Sequence, residues 1–455
     1  MIIKETDVVI IGAGLTGLTS AFYLKKRGRN LQILEQADRT GGQIRSFHSD
    51  GFVFESGPNT GVISYPEVAE LFLNLASDCR LVTAFETAKR RYIWKGNRFH
   101  ELPSGLFSAL TTPLFSFTDK FRILSEPFRA KGNNPDEPIA DMVCRRLGKS
   151  YLDYAVDPFL SGVYAGDAQK LITRYALPKL YNLEQKYGSF IRGAIAKAKQ
   201  PKTGRDRLAT RQVFSTEGGL DRLTSALTHR IGMDNITLSA SGIRINPNEG
   251  KWEITFSSPQ GQKTIWANRV ITTTGAYSLS GLLPFIPEKE IKKMTDLSYA
   301  PIVQIAVGVN NIGNLAFNGF GGLVPTREKK DVLGILYPSA CFAERAPEKG
   351  ALFSFFIGGI QHRELTELSD TELETLVIRA FHSMLKFPSG IEPDLLRIFR
   401  HARAIPQYER SSGERLQIIE AVEKRYPGLY LAGNIREGIG MADRIKQATL
   451  LGNRI

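Results

Sequence analysis

Along this 455-residue chain the apolar positions recur with two different spacings, and the spacing changes at glycines and prolines. Val8-Val9-Ile10-Ile11 is a continuous apolar run that predicts a buried strand, and Leu15 to about Arg27 then takes a helical spacing. Leu31 to Glu35 predicts a second strand, and Pro66 to Leu75 a helix with Val68, Leu71, Phe72 and Leu75 on one face. Lys89 to Pro103 has an apolar centre broken by Gly96-Asn97, which predicts a β-hairpin. Past Gly218-Gly219, Leu223, Leu227 and Ile231 share one helical face, and 236–245, 251–257 and 264–274 alternate as strands. Residues 300–360 read as an antiparallel sheet and Asp370 to Lys386 as an amphipathic helix, with no internal repeat or low-complexity segment anywhere.

The first strand runs into Gly12-Ala13-Gly14-Leu15-Thr16-Gly17, and the second ends on Glu35 about 20 residues later. Strand, glycine turn, helix, strand and acid in that order predict a dinucleotide site. Gly12 permits the tight turn, Gly14 lets backbone approach a pyrophosphate, and Gly17 lets the helix pack on the strand with its positive end towards the phosphates. The Glu35 carboxylate is placed to accept hydrogen bonds from a ribose diol.

Three further stretches say which dinucleotide. Gln36-Ala-Asp-Arg-Thr-Gly41-Gly42-Gln43 adds a second glycine pair, and Phe54-Glu55-Ser-Gly57-Pro58-Asn59-Thr60 a third glycine turn. Tyr430-Leu-Ala-Gly433-Asn434-Ile-Arg-Glu-Gly438-Ile439-Gly440-Met441 adds a strand, a glycine turn and a helix start near the C-terminus. Together they resemble the FAD-binding stretches of the amine oxidase and phytoene desaturase superfamily. The resemblance implies that the Gly57-Pro58 turn approaches the isoalloxazine and that the 433–441 turn aims N–H groups at its pyrimidine edge. No cysteine follows Cys341, so the FAD is expected to be non-covalent. A flavin domain with pieces at both ends is discontinuous. The expected fold is α/β plus α+β: flavin-binding parts at 1–84, 213–275 and 421–455, a helical membrane-associating and substrate insert at 85–212, and a substrate-binding sheet domain at 276–420.

Composition adds the partners. Lys plus Arg number 59 against 46 acids, a formal charge of +13 that favours an anionic partner. Nucleic acid is not expected, because no zinc spacing, RNP-like motif or basic heptad region occurs. Cys79, Cys144 and Cys341 are few and scattered, which fits a reducing compartment. The chain enters its first strand with no signal-peptide pattern, and a cytoplasmic protein is expected. Leu102 to Thr118 carries no charge but holds Pro103 and Pro113, and is too short and broken to span a bilayer. Two readings stand: an interfacial segment using Leu106, Phe107, Leu110, Leu114, Phe115 and Phe117, or a buried helical pair, and the first would serve a homodimer face as well as lipid. The basic stretch 187–211 is either a headgroup-facing surface or a solvated loop.

Within the superfamily one branch is similar over essentially the whole chain. Asp157-Pro-Phe-Leu-Ser-Gly-Val-Tyr-Ala-Gly166-Asp167, Phe214-Ser-Thr-Glu-Gly-Gly-Leu220, Gly319-Phe320-Gly321-Gly-Leu-Val-Pro325 and Ala404-Ile-Pro-Gln-Tyr408 resemble the porphyrinogen-oxidising flavoenzymes. That resemblance implies removal of six electrons in three steps, each a hydride to flavin N5 and a proton from a pyrrole nitrogen. The reaction needs no strong base, and the histidines at 48, 100, 229, 362, 382 and 401 do not cluster, so no catalytic side chain and no metal are expected. By the same resemblance Arg91 pairs a substrate propionate, Asn59 lies near ring and substrate, Gly166 brings backbone over the flavin, and Phe320, Gly321 and Phe353, Phe355 or Phe356 wall the substrate. Ile243 matches the backbone contact to adenine, and Ile439, Gly440 and Met441 the contact to the flavin. A peripheral place on the cytoplasmic membrane and product hand-over to a ferrochelatase are further implications. Gln43 and Gly275 depart from the branch's usual residues. Coproporphyrinogen oxidation is the near alternative; a carotenoid desaturase, an amine oxidase or a non-enzymatic lipid-binding escort are more distant ones.

Overall fold

A computed structural model describes residues 3–455, without the side chains of Ile3, Lys4 and Leu106; that part of the expected interfacial segment therefore lies outside the described residues. The N-terminal apolar run forms strand Ile3–Ile11, flanked in parallel by Leu31–Leu34 and Gly261–Thr272 in a seven-stranded sheet. Its side chains alternate between two cores, as a strand buried on both faces requires. Val8 and Ile10 meet the core shared by the first helix, Leu15–Lys26, and by the helices Pro66–Asn74, Asp221–Ile231 and Met441–Arg454. Val9 and Ile11 meet the opposite core, with Trp252, Leu279, Met294 and Ile419. Residues 276–297 and the helix Ser412–Arg425 thus pack with this sheet, although the sequence division gives most of them to the other domain.

The strand expected over 236–245 is broken. Ile236–Thr237 runs parallel beside Leu31–Leu34, Ser239 turns the chain with φ +53°, and Ser241–Asn248 then pairs antiparallel with Lys251–Ser258. The last parallel strand, Leu429–Leu431, joins Gly261–Thr272 from the other end of the sequence.

A second seven-stranded sheet has the order Leu395–Pro406, Tyr299–Val309, Ala351–Gly358, Val332–Leu336, Gly321–Leu323, Tyr92–Lys95, Arg98–Glu101. The last two strands are the expected hairpin, with Gly96 and Asn97 both at positive φ, as a two-residue turn between twisted strands prefers. This hairpin, which the sequence division places in the insert, completes the sheet through a parallel pairing with Gly321–Leu323. The helix Asp370–Leu385 covers one face, capped by Ser369 and Glu372.

Residues 102–211 fold largely as short helices. The uncharged stretch divides: Leu114 and Phe115 are buried against Ile93 and Tyr154, whereas Phe107 is 81% exposed and Phe117 74%. Phe115 stacks on Tyr151 with ring centroids 3.9 Å apart, so the core reading holds there. The insert is tied by Glu126, fully buried, which accepts from Ser189 Oγ, Phe190 N and Ile191 N and faces Arg146 Nε at 3.2 Å. Among the described residues no helix is long and apolar enough to cross a membrane.

Candidate functional site

The glycine loop is shaped by close approach. A Cβ on Gly17 would lie 1.9 Å from Gly12 O, and one on Gly12, whose φ is +105°, would lie 2.8 Å from Thr273 Oγ1. Gly14 faces the second glycine pair: a Cβ on Gly42 would sit 3.1 Å from Gly14 Cα, and Gly14 bridges Gly41. Leu15 and Thr16 are buried, so what they offer a ligand is the amide end of the helix, where the first N–H groups have no intrahelical acceptor. Glu35 accepts Ala13 N–H at 2.6 Å and Ala37 N–H at 2.8 Å, which aims its carboxylate across the loop. Residues 237–240 bond alongside Glu35 to Ala37, and Ile243 follows, half-buried, at a register shift in its strand. Gln36 is exposed. Arg39, not singled out by the sequence reading, donates to Gly42 O at 2.7 Å and Thr40 O at 3.0 Å and pins the loop.

The third glycine turn carries the cradle to the second sheet. A Cβ on Gly57 would be 2.1 Å from Gln43 O, which brings the 41–43 and 57–60 turns into contact. Asn59 Nδ2 donates to Gly57 O at 3.1 Å, and its Oδ1 accepts from Ser354 Oγ at 2.8 Å. Gln304 Nε2 donates to Glu55 O at 2.7 Å, and His401 Nε2 lies 2.5 Å from Ser56 O, both from neighbouring strands of that sheet. Pro58 and Thr60 are half-buried at this junction.

The C-terminal turn closes the other side. Gly433, at φ +89°, donates to Gln447 Oε1 at 2.8 Å, and Tyr408 Oη donates to Asn434 O and Gly438 O. Gly440 N–H donates to Asp443 Oδ2, Met441 starts the last helix, and Ile439 packs against the insert. Opposite, Ala165 at φ +49° accepts from Ile360 N, and Gln407 Nε2 donates to Tyr164 O at 2.8 Å. A Cβ on Gly166 would meet Gln407 Oε1 at 2.5 Å, and that buried oxygen has no partner among the described residues.

Of the expected substrate residues, Arg91 and Phe320 come together, the guanidinium 5.5 Å from the ring centroid. Arg91 has no carboxylate partner among the described residues. Gly321, at φ +133°, leaves no room for a Cβ against Ile335 O. Phe353 does not wall the site. It is fully buried with Phe317, Tyr337 and Phe387 on the helix-covered face, as is Phe355, because alternate residues of a strand point to opposite sides. Phe356 points the other way, towards Ala165 and Ile302.

Beneath the junction Glu55 and Arg345 form a buried pair at 3.3 Å, with Ser46 Oγ and Leu220 N also on the carboxylate and Ser215 Oγ on the guanidinium. Burial raises the Glu55 carboxyl to about 7, against the opposing effect of Ser46, Leu220 and Arg345.

The glycine loop, the 41–43 pair and the 57–60 turn thus stand in mutual contact and lead onto the second sheet. The profile of the flavin containing amine oxidoreductases aligns with residues 15–443. The chain belongs to that family. It lies in the branch of the protoporphyrinogen oxidases. Protoporphyrinogen oxidase 1, chloroplastic, of Arabidopsis thaliana is 31% identical over 97% of this chain and 86% of its own length. Coproporphyrinogen III oxidase of Bacillus subtilis (strain 168) is 24% identical over 97% and 96%. The same fold occurs in a provisionally named protoporphyrinogen oxidase from Exiguobacterium sp. 255-15, with a TM-score of 0.80 at 23% identity over 99% of this chain and 98% of that one. A putrescine oxidase variant shares it at a TM-score of 0.70 and 14% identity over 100% and 99%. The chain is therefore an oxidoreductase and its cofactor is FAD. The contacts above fit that group: the Gly12 to Gly17 amides and Glu35 for the adenine nucleotide half, and the 41–43, 57–60 and 433–441 turns for the flavin half.

Proposed function

We propose that the enzyme oxidises protoporphyrinogen IX to protoporphyrin IX in haem biosynthesis, removing six electrons in three two-electron steps. FAD, when bound, supplies a two-electron acceptor, reoxidised by oxygen or another acceptor. The observation that carries the reading is Arg91: an exposed guanidinium with no carboxylate partner among the described residues, held beside the Phe320 ring. A planar guanidinium suits a propionate, and the ring beside it suits a macrocycle edge. Asn59 and Ser354 keep the Gly57 turn against the sheet, and Phe356 supplies apolar wall on that side. The remaining work is orientation, which an electron-rich pyrrole needs more than it needs a base.

Coproporphyrinogen III is the second reading, favoured by the Bacillus relative's name. For both, the exposed Phe107, Leu110, Phe117 and Phe128 of the insert, beside Lys120 and Arg129, would rest on an anionic membrane surface or on a second copy, from which porphyrin passes to a ferrochelatase. Aerobic turnover of flavin-loaded protein with the two porphyrinogens side by side, followed by porphyrin fluorescence, tests the proposal. A preference for one selects between the readings. Turnover of neither, with FAD bound, sends the assignment to amine oxidation or desaturation.

A further inference from the structure

Three polar side chains line up across the face of the second sheet that carries Phe356. Ser354 stands opposite Ala306, Gln304 opposite Phe356 and Phe399, and His401 opposite Ile302. They therefore share a face and step diagonally over the adjacent strands Ala351–Gly358, Tyr299–Val309 and Leu395–Pro406. Their neighbours there are apolar: Ile302 and Phe356 on one side, Ala306, Leu352 and Phe399 on the other. Ser354 and Gln304 are buried, and a polar side chain buried among apolar ones costs stability unless it is hydrogen-bonded.

All three hold one turn. Gln304 Nε2 donates to Glu55 O at 2.7 Å and His401 Nε2 to Ser56 O at 2.5 Å. Ser354 Oγ donates to Asn59 Oδ1 at 2.8 Å, and Asn59 Nδ2 in turn donates to Gly57 O at 3.1 Å. A carbonyl only accepts, so the His401 proton sits on Nε2. Three consecutive carbonyls, 55 to 57, are thus fixed from three strands. The rest of the turn is open: the N–H groups of Gly57, Asn59 and Thr60 and the carbonyls of 58–60 have no protein partner among the described residues, and all four residues are half-buried. A Cβ on Gly57 would strike Gln43 O, and Gly42 lies against Gly14, so these open groups belong to the run of turns fitted to FAD above.

We propose that Gln304, His401 and Ser354 are positioning residues for the flavin: by holding carbonyls 55–57 they fix the open backbone groups of 57–60 against the isoalloxazine, and so raise its reduction potential. Reduction adds electron density to the ring and a hydrogen to N5, so fixed N–H donors and fixed carbonyl acceptors both favour the reduced form, and a turn free to reorient favours it less. The inference rests on the FAD assignment and on the fit of the 57–60 turn, and not on which porphyrinogen is oxidised.

The test measures the reduction potential of bound FAD against a reference dye, with the FAD Kd and the urea midpoint, in wild type and in His401→Leu/Ser354→Ala, which removes two of the three donors. The double variant should bind reduced FAD about tenfold less tightly, relative to oxidised FAD, than wild type does, a fall of about 30 mV for a two-electron couple. His401→Gln keeps a donor and should keep the potential. Phe353→Leu, next to Ser354 but in the core behind the sheet, should lower the urea midpoint and leave the potential where it is. If the double variant does not fold, His401→Leu alone, on the edge strand of the sheet, should still lower the potential. An unmoved potential, whether or not FAD affinity or the urea midpoint falls, overturns the proposal and leaves these side chains a purely structural role. An equal fall in Phe353→Leu also overturns it, since general loosening then explains the shift.

Discussion

At Glu35 both carboxylate oxygens already hold backbone amides, Ala13 N–H and Ala37 N–H, so the acid shapes the loop. Glu35→Ala leaves two donors without acceptors and should weaken FAD binding by about 1–3 kcal/mol, seen as flavin lost on gel filtration. Full retention would remove Glu35 from the site. Arg91→Ala should raise KM for the porphyrinogen by an amount worth ~1–3 kcal/mol with FAD content unchanged, and Arg91→Lys should not restore it, because an ammonium lacks the planar fork. An unmoved KM would return Arg91 to the ordinary surface. The phenylalanines of the 351–358 strand separate by face. Phe353→Ala opens the core and should cost about 3–5 kcal/mol in urea unfolding, whereas Phe356→Ala should act mainly on KM. That division was not legible in the sequence: a period of two says that Phe353 and Phe355 share a side, and only the covering helix says which side it is.

The insert shows the same division at the scale of an element. Its uncharged stretch had two readings: the buried one holds for Leu114 and Phe115, which pack against Ile93 of the 92–101 hairpin, whereas Phe107 and Phe117 are left to solvent. Replacing Phe107, Phe117 and Phe128 together with Ser should release the protein from anionic vesicles at unchanged Tm. Phe115→Ala should instead lower stability by about 3–5 kcal/mol and leave vesicle binding alone. Vesicle binding that survives the triple change would give the exposed face to another partner. The hairpin and its turn were legible because Gly96-Asn97 accepts two positive φ angles locally. Its place in the second sheet was not, since its parallel partner lies more than 200 residues away.

Over the whole molecule, the buried Glu55–Arg345 pair ties the start of the third glycine turn to the segment that leads into the second sheet. Burial holds the Glu55 carboxyl near 7, above its ordinary 4.5, so the folded state binds a proton that the unfolded chain has released between those values. Its contribution is full below the unfolded pKa and is lost as pH rises through the folded one. Wild-type stability should therefore fall between about pH 5 and pH 8 more steeply than that of Glu55→Gln, read as urea midpoints; parallel profiles would assign the slope to another group. The N-terminal glycine loop and the glycine turns that follow it were determined by sequence alone, because glycine spacing and strand runs act within a few bonds and tolerate few conformations. The junction of Asn59 with Ser354, the face that Phe356 presents and the buried Glu55–Arg345 pair were decided by the tertiary structure. Each joins residues far apart in the chain, and no local pattern encodes which distant side chain packing will bring within reach.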